Sequence, residues 1–388
     1  MTLIYLVAGE HSGDVLGARL MQALRAARPG LSFAGVGGPL MAAQGFDSLF
    51  PMHELAVMGL FEVLPRVRRL RQLLRDLTAD AIAKRPAVLV TIDSPGFMLR
   101  LLRRVRGHGI QRIHYVAPQV WAWREHRVRS FPGQWEKLLC LLPFETAFFA
   151  GHGLPATFVG HPVLESGADQ GDAARFRRSH NLTPEQSALV LMPGSRRSEV
   201  PRLLPVFGQA LALLSGRLPG LVAVVPTATA VAETVRLAAQ DWPVRPVIVT
   251  ETQDKHDAYA AAAAALTKSG TSTLELALAG VPMAVTYRVN PVSAAIARRL
   301  IRVKHVAMVN LLAGRAVVPE LLQEDCTPEK LAATVEALVI DPDIAQAQRA
   351  AFVAVMASLQ VADGTPSQAA AREVLATLDA AWDTAAAS

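Results

Sequence analysis

Ala188-Leu189-Val190-Leu191-Met192-Pro193-Gly194-Ser195-Arg196-Arg197-Ser198-Glu199 runs from an apolar stretch of strand length through a Gly-Ser-Arg turn to a helical pattern that starts near Val200. Strand, short turn and helix start in that order make half of a βαβ unit, and free N–H groups at the helix start point into the turn. A guanidinium placed there can clamp two phosphate oxygens at once. The stretch therefore predicts an α/β fold with an anion site at Gly194, Ser195 and Arg196. A P-loop is excluded, since the turn has no lysine and Gly-x-x-x-x-Gly-Lys-Ser/Thr occurs nowhere in the chain. Ser195 as a helix N-cap, with Arg196 merely solvated, is the competing reading of the same residues.

The pattern repeats on both sides. Toward the N-terminus, Leu3–Ala8, Leu31–Ala34, Val88–Ile92, Ile113–Val116 and Leu138–Leu142 alternate with helix-like stretches; toward the C-terminus come Leu221–Val225, Val247–Val249, Ala263–Thr267 and Met283–Thr286. Between the two series, glycines and prolines cluster from Gly151 to Gly171, the expected linker. The prediction is two tandem doubly wound, Rossmann-like α/β domains with an interdomain cleft, 1–165 and 172–350. In such sheets ligands lie beyond the carboxyl ends of the strands, so chemistry is expected directly after them.

Length and composition agree. A chain of 388 residues suffices for two domains, and 51% hydrophobic residues with 6% aromatics suit strands buried on both faces. No apolar run approaches the roughly 18 residues of a membrane span. The start, Met1-Thr2-Leu3-Ile4-Tyr5-Leu6-Val7, reads as a first strand and not a signal peptide. Two distant cysteines, Cys140 and Cys326, predict reduced thiols and a cytoplasmic protein. The net charge of +6 is uneven: Met1–Glu165 holds 19 Lys and Arg against 12 Asp and Glu, and the remainder 20 against 21. A basic first half attracts phosphorylated substrates, anionic lipid or nucleic acid.

Four polar segments succeed strands. Ser269-Gly270-Thr271-Ser272-Thr273-Leu274-Glu275 offers hydroxyls and a glycine for phosphate and a carboxylate, Glu275, for ribose hydroxyls; with Arg196 it describes a nucleoside diphosphate site. Its alternative is a well-capped helix with Glu275 placed favourably for the dipole. In the first half, Asp93 ends an apolar strand and can accept a proton from an attacking hydroxyl, or else cap the helix that Pro95 opens. Glu10, His11, Ser12 and Asp14 come after the first strand, Ser12 as a cap or Glu10 and His11 toward substrate. The sequence predicts no metal and no cofactor. Its one Asp-x-Asp, Asp341-Pro342-Asp343, reads as a turn and N-cap, and Gly35-Val36-Gly37-Gly38 lacks a dinucleotide fingerprint. Leaving diphosphate would then be neutralised by Arg196, hydroxyls and helix N-termini.

From Leu60 to Arg75, Leu60, Phe61, Leu64, Val67, Leu70 and Leu74 fall near one helical stripe, interleaved with Arg66, Arg68, Arg69, Arg71 and Arg75. This describes an interfacial helix drawn to anionic lipid, or an amphipathic helix packed on the sheet with a solvated basic face. Nucleic acid is disfavoured because no stacking aromatics interleave with the arginines.

Five segments taken in order, Val7-Ala8-Gly9-Glu10-His11-Ser12-Gly13-Asp14, Glu54-Leu55-Ala56-Val57-Met58-Gly59, Tyr115-Val116-Ala117-Pro118-Gln119-Val120-Trp121-Ala122-Trp123-Arg124, Met192-Pro193-Gly194-Ser195-Arg196 and Asn310-Leu311-Leu312-Ala313-Gly314, resemble the lipid-A-disaccharide synthase family of GT-B glycosyltransferases. That resemblance implies transfer of 2,3-diacylglucosamine from UDP to the 6-hydroxyl of 2,3-diacylglucosamine 1-phosphate, at the inner face of a Gram-negative inner membrane, with a homodimer as one oligomeric option and a terminal segment 351–388 whose helices return to the first domain. On it, Gly194, Ser195, Arg196, Ser269, Gly270, Thr271, Glu275 and Asn310 hold UDP; Asp93 is the base, with Glu10 and Ser12 positioning. His11, Asp14, Gln119 and Trp121 face the acceptor, and Leu60, Phe61, Leu64, Arg66, Val67, Arg68, Arg69 and Leu70 meet the membrane. Two positions depart from the family, which usually carries Asp and Asn where Gly96 and Met98 stand; His11 replaces a residue that is usually Ala. A UDP-N-acetylglucosamine 2-epimerase, another GT-B transferase, and a catalytically inactive lipid- or nucleotide-binding module are the alternatives.

Overall fold

The apolar runs pair into two six-stranded sheets, each wholly parallel. A computed structural model of the chain describes residues 2–55, 60–123, 125–196, 199–290 and 303–386, except for the side chains of 60–66 and 382–386. Two compact units divide it, Met1–Pro162 with Leu359–Ser388, and Val163–Ser358.

In the first unit the strands are β1 (Leu3–Ala8), β2 (Ser32–Val36), β3 (Val88–Ile92), β4 (Gln111–Tyr115), β5 (Lys137–Cys140) and β6 (Ala156–Phe158), in the order β2-β1-β3-β4-β5-β6. Side chains alternate across a strand, so an apolar run covered on both faces feeds two cores. Ile4, Leu6 and Ala8 join Val88, Val90 and Ile92 in one; Tyr5, Val7 and Leu89 enter the other. The first core is closed by the helix His11–Ala27, whose Leu16, Leu20, Met21 and Leu24 form an i, i+4, i+8 stripe, and by the terminal helix Pro366–Ala386. Ala370, Val374 and Leu378 face inward on that helix, and Arg28 donates both guanidinium ends to Asp379 at 2.8 Å. Helices Leu60–Lys84 and Pro95–Arg104 close the other core with Leu73, Leu74, Leu77, Leu101 and Leu102.

The second unit holds β7 (Ser187–Met192), β8 (Leu221–Pro226), β9 (Val247–Val249), β10 (Ala262–Lys268), β11 (Met283–Tyr287) and β12 (Glu320–Leu322), ordered β12-β11-β10-β7-β8-β9. Leu189, Leu191, Ala264, Leu266 and Ala284 pack under the helix Val200–Ser215, through Leu203, Phe207 and Leu211, and under Pro328–Ile340, through Leu331 and Val335.

The expected pair of doubly wound α/β domains is therefore what forms. Two strands were absent from the sequence reading, β6 and β12. Both are three-residue edge strands of half-buried residues, too short to leave an apolar run. β6 lies inside the Gly151–Gly171 stretch read as linker, so three residues of that stretch, Ala156–Phe158, belong to the first sheet. Asp341 takes the N–H groups of Asp343 and Ile344, as its turn reading required. Both cysteines are free and buried.

Strand order places the sites. Strand order reverses between β1 and β3 in the first sheet and between β7 and β10 in the second, because the strand that succeeds each pair's first member lies on its other side. At such a switch point the flanking loops part and leave a crevice at the carboxyl edge. The four strands concerned end at Ala8, Ile92, Met192 and Lys268, and each leads straight into one of the four polar segments.

Candidate functional site

At the first switch point two polar side chains at the start of the helix His11–Ala27, Glu10 and Ser12, pair with two from the turn after β3, Asp93 and Ser94. Ser12 Oγ donates to Asp93 Oδ2 at 3.2 Å, and Ser94 Oγ donates to Glu10 Oε1 at 3.2 Å. Asp93 continues the ladder by donating its N–H to Tyr115 O at 2.8 Å, while its Oδ1 accepts the Ser94 N–H at 2.7 Å. Asp93 and Ser94 are both left-handed, with φ of 57° and 44°, a conformation costing side-chain-bearing residues about 1–2 kcal/mol each. Strain of that kind survives where surrounding contacts fix it, here the ladder bond and the two crossing hydroxyls. The competing reading of Asp93 as a helix cap fails: Ser94 precedes Pro95–Arg104 and no side chain caps that helix. Nor does Ser12 cap the first helix, whose start at Glu10 also lacks a side-chain cap.

The remaining first-unit residues divide. His11 and Gln119 are exposed. Asp14 is a correction: it is fully buried, and its carboxylate accepts the N–H groups of Gly38, Leu40 and Met41 at 2.9, 2.9 and 3.0 Å. Those are free donors at the start of the helix Pro39–Ala42, so Asp14 anchors the loop after β2 and offers a substrate nothing. Trp121 is held by its indole N–H, which donates to Glu145 Oε1 at 3.0 Å, and by edge contact with Phe144. Glu145 is 2% exposed; burial lifts its carboxyl to about 7, although the Trp121 and Leu142 N–H donors favour the ionised form. The family departures sit differently: Gly96 is exposed and Met98 is buried beside Gly9.

Across the second switch point the Gly-Ser-Arg turn meets the end of β10. Gly194 has φ 109°, and a Cβ there would stand 3.2 Å from Glu199 Oε2 and 3.3 Å from Lys268 Cδ, so only glycine suits the turn. Ser195 is exposed, and Arg196 donates to Glu199 Oε1 at 3.1 Å. Gly270 and Thr271 are exposed, with open space where a Gly270 side chain would go. Ser269 Oγ donates to Val306 O at 2.8 Å. Glu275 accepts from Lys255 Nζ at 3.0 and 3.3 Å and from Tyr259 OH at 3.2 Å, which fixes its carboxylate one turn into the helix Ser272–Leu278.

Asn310 is the second correction. It is fully buried, and every hydrogen-bonding group of its amide is used: Nδ2 donates to Val318 O and Glu320 Oε1, and Oδ1 accepts from Val317 and Val318 N–H. It ties the helix Met308–Ala313 to the segment leading into β12 and has no capacity left for a nucleotide. Sequence reading also passed over Lys268, Glu199, Lys255, Tyr259 and Glu145. Lys268 was within reach, being the last residue of a buried strand at a carboxyl edge.

The basic helix Leu60–Lys84 forms as expected. The side chains of Leu60, Phe61, Leu64 and Arg66 lie outside the described residues. Val67 and Leu70 are half-buried, Arg68 and Arg69 are exposed, and Arg69 Nε donates to Glu54 Oε2 at 2.5 Å. Arg68, Arg71, Gln72 and Arg75 join Arg104 from the neighbouring helix to line a hollow of about 610 Å³. Among the described residues no helix is long and apolar enough to cross a membrane, and no group of three or more His, Cys, Asp or Glu is placed to hold a metal ion.

Comparison with known proteins gives a family model, lipid-A-disaccharide synthetase, that matches residues 4–374. A lipid-A-disaccharide synthase of Granulibacter bethesdensis is 61% identical over 387 residues, covering 97% of this chain and 98% of that one. Among solved structures, a UDP-GlcNAc 2-epimerase of Neisseria meningitidis bound to UDP-GlcNAc superposes with a TM-score of 0.64 at 12% identity, covering 97% of this chain and 99% of that one. The glycotransferase of kitacinnamycin gives 0.64 at 16% identity, with 97% and 98% covered. Both likenesses concern the fold, which is of the GT-B type.

Proposed function

The chain belongs to the lipid-A-disaccharide synthetase family and is a glycosyltransferase of lipid A biosynthesis; on that premise we propose that Asp93 is the base that drives sugar transfer. The donor is a UDP-linked 2,3-diacylglucosamine and the acceptor 2,3-diacylglucosamine 1-phosphate. The acceptor's 6-hydroxyl oxygen attacks the anomeric carbon in line with the bond to diphosphate, which inverts that carbon and gives a β-1,6 link. As the new C–O bond forms, the hydroxyl proton passes to Asp93; as the old one breaks, its electron pair leaves with UDP. Ser12 and Glu10 orient the base, Ser12 directly and Glu10 through Ser94. UDP is held by Gly194, Ser195 and Arg196 at its phosphates, with Gly270 and Thr271 opposite and Glu275 toward the ribose.

The observation that carries the assignment is the strained, hydroxyl-braced Asp93 at the switch point of the first sheet. Strain at a carboxylate that caps no helix and, among the described residues, pairs with no cation is spent on orientation. General-base catalysis contributes about 10²–10⁴-fold. Asp93→Asn is therefore expected to cut disaccharide formation at least 100-fold, read by mass spectrometry of the product, while calorimetry shows UDP still binding. Turnover near that of the unsubstituted protein would remove Asp93 from the mechanism.

The acylated substrates reside in a membrane, and the basic helix is proposed to rest on its anionic surface. Arg68, Arg71, Arg75 and Arg104 line one hollow and supply a concentrated positive charge. Such a charge favours anionic headgroups by about 1 kcal/mol per basic side chain.

A further inference from the structure

One carboxylate oxygen at the second switch point serves two cations. Glu199 Oε1 accepts from Arg196 Nη1 at 3.1 Å and from Lys268 Nζ at 3.0 Å. Glu199 and Lys268 are 17% and 16% exposed, Arg196 51%. Lys268 also lies 5.4 Å over the Tyr287 ring, so its ammonium is set between a carboxylate and an aromatic face. The turn and the strand end it bridges are brought together only by the pairing of β7 with β10, and Gly194 leaves the space in which the two side chains meet.

A diphosphate presents two phosphoryl groups, and it gains a negative charge when the sugar's C–O bond breaks and the electron pair stays on its oxygen. A single guanidinium matches one group. A second cation facing the same crevice from the opposite strand matches the other, and stabilisation of charge as it develops is what lowers the barrier. In the nucleotide-free chain two cations this close repel each other unless an anion lies between them, and Glu199 is that anion.

We propose that Lys268 is a second diphosphate-binding residue, and that Glu199 is a stand-in anion which holds Lys268 and Arg196 in place until the nucleotide's phosphates take them over. The proposal rests on the reading of this crevice as the nucleotide site. It makes Glu199 a competitor of the ligand. Loss of its charge then strengthens nucleotide binding, whereas a Glu199 that only positioned Arg196 would weaken binding when neutralised.

The test is calorimetric titration of the full chain with UDP, and with uridine as the phosphate-free control, each variant's melting being measured in parallel. Lys268→Ala is expected to weaken UDP about tenfold, the loss of one charge-assisted contact, and to leave uridine unchanged. Lys268→Arg keeps most of the affinity. Glu199→Gln retains a neutral acceptor for the fold and is expected to tighten UDP severalfold. Unchanged UDP affinity in Lys268→Ala, with Arg196→Ala weakened, would reduce the Lys268–Glu199 pair to a structural tie and overturn the proposal. Weaker UDP binding in Glu199→Gln would overturn the stand-in role. No UDP binding by the unsubstituted chain, or no effect of Arg196→Ala, would instead strike the nucleotide-site reading itself. Should Lys268→Ala melt early, Lys268→Arg and Glu199→Gln decide.

Discussion

Glu145 makes the first unit sensitive to pH in a direction opposite to that of most carboxylates. Its carboxyl, ordinarily near 4.5, is lifted to about 7 because burial penalises the charge more than the Trp121 and Leu142 donors stabilise it. Between those values the unfolded chain has released a proton that the folded chain keeps. Stability contributed at this site is thus greatest below pH 4.5 and falls as pH rises to 7. Each pH unit of that gap is worth about 1.4 kcal/mol, so the folded state carries a penalty about 2–3 kcal/mol larger at pH 8 than at pH 5. Glu145→Gln abolishes the titration. It also costs a fixed amount, since its amide can accept from only one of the two N–H donors and turns a donor toward the other. The pH-dependent part separates from that fixed cost. Relative to the unsubstituted chain, the variant should gain about 2–3 kcal/mol between pH 5 and pH 8. Urea unfolding monitored by tryptophan fluorescence reads this, as Trp121, Trp123, Trp135 and Trp382 belong to the first unit and only Trp242 to the second. A stability difference between the two chains that is flat from pH 5 to 8 would show that Glu145 ionises normally, and the argument from burial would fall.

Two further outcomes test the corrections and the membrane reading. Asn310→Ala should lower stability by about 3 kcal/mol, since it strands buried donors and acceptors near Val317, Val318 and Glu320; UDP affinity measured well below the melting point should stay within about twofold. Weakened UDP binding with unchanged melting would return Asn310 to the nucleotide site. The double replacement Arg71→Gln with Arg75→Gln should cut binding to phosphatidylglycerol vesicles by about 30-fold, at about 1 kcal/mol per charge removed, with little effect on neutral vesicles; equal partitioning by both proteins would exclude the arginine hollow as a membrane contact.

The second sheet is legible from twelve residues, Ala188 to Glu199, because everything they contain is local. An apolar run long enough for one strand, a glycine that tolerates a left-handed turn and a proline just inside the next helix need no distant partner to be recognised. The same holds for the first sheet, where the run before Asp93 and the run before Gly9 both ended where they were expected to end. β6 and β12 escaped because an edge strand of three half-buried residues leaves no such run. Asp93 illustrates an intermediate case. Its place at the strand end was legible, whereas its left-handed backbone and the Ser12 bond that tells a braced carboxylate from a cap were not.

By itself the sequence determined the order of strands and helices, the positions at which polar segments leave the sheets, and the family. Tertiary structure decided which polar residues face outward. Asp14 and Asn310 stand in segments that look as open as those of Glu10 and Arg196, yet Asp14 is spent on backbone N–H groups of its own unit and Asn310 on backbone groups and the Glu320 carboxylate. Asp14 reaches donors 24 to 27 residues away, and Lys268 finds Glu199 across 69. Periodicity and turn chemistry report only what neighbours in sequence require. A buried donor's need for an acceptor is set by whichever strands the fold lays side by side, and that pairing turned two expected ligand contacts into structural ties and an overlooked lysine into a partner for phosphate.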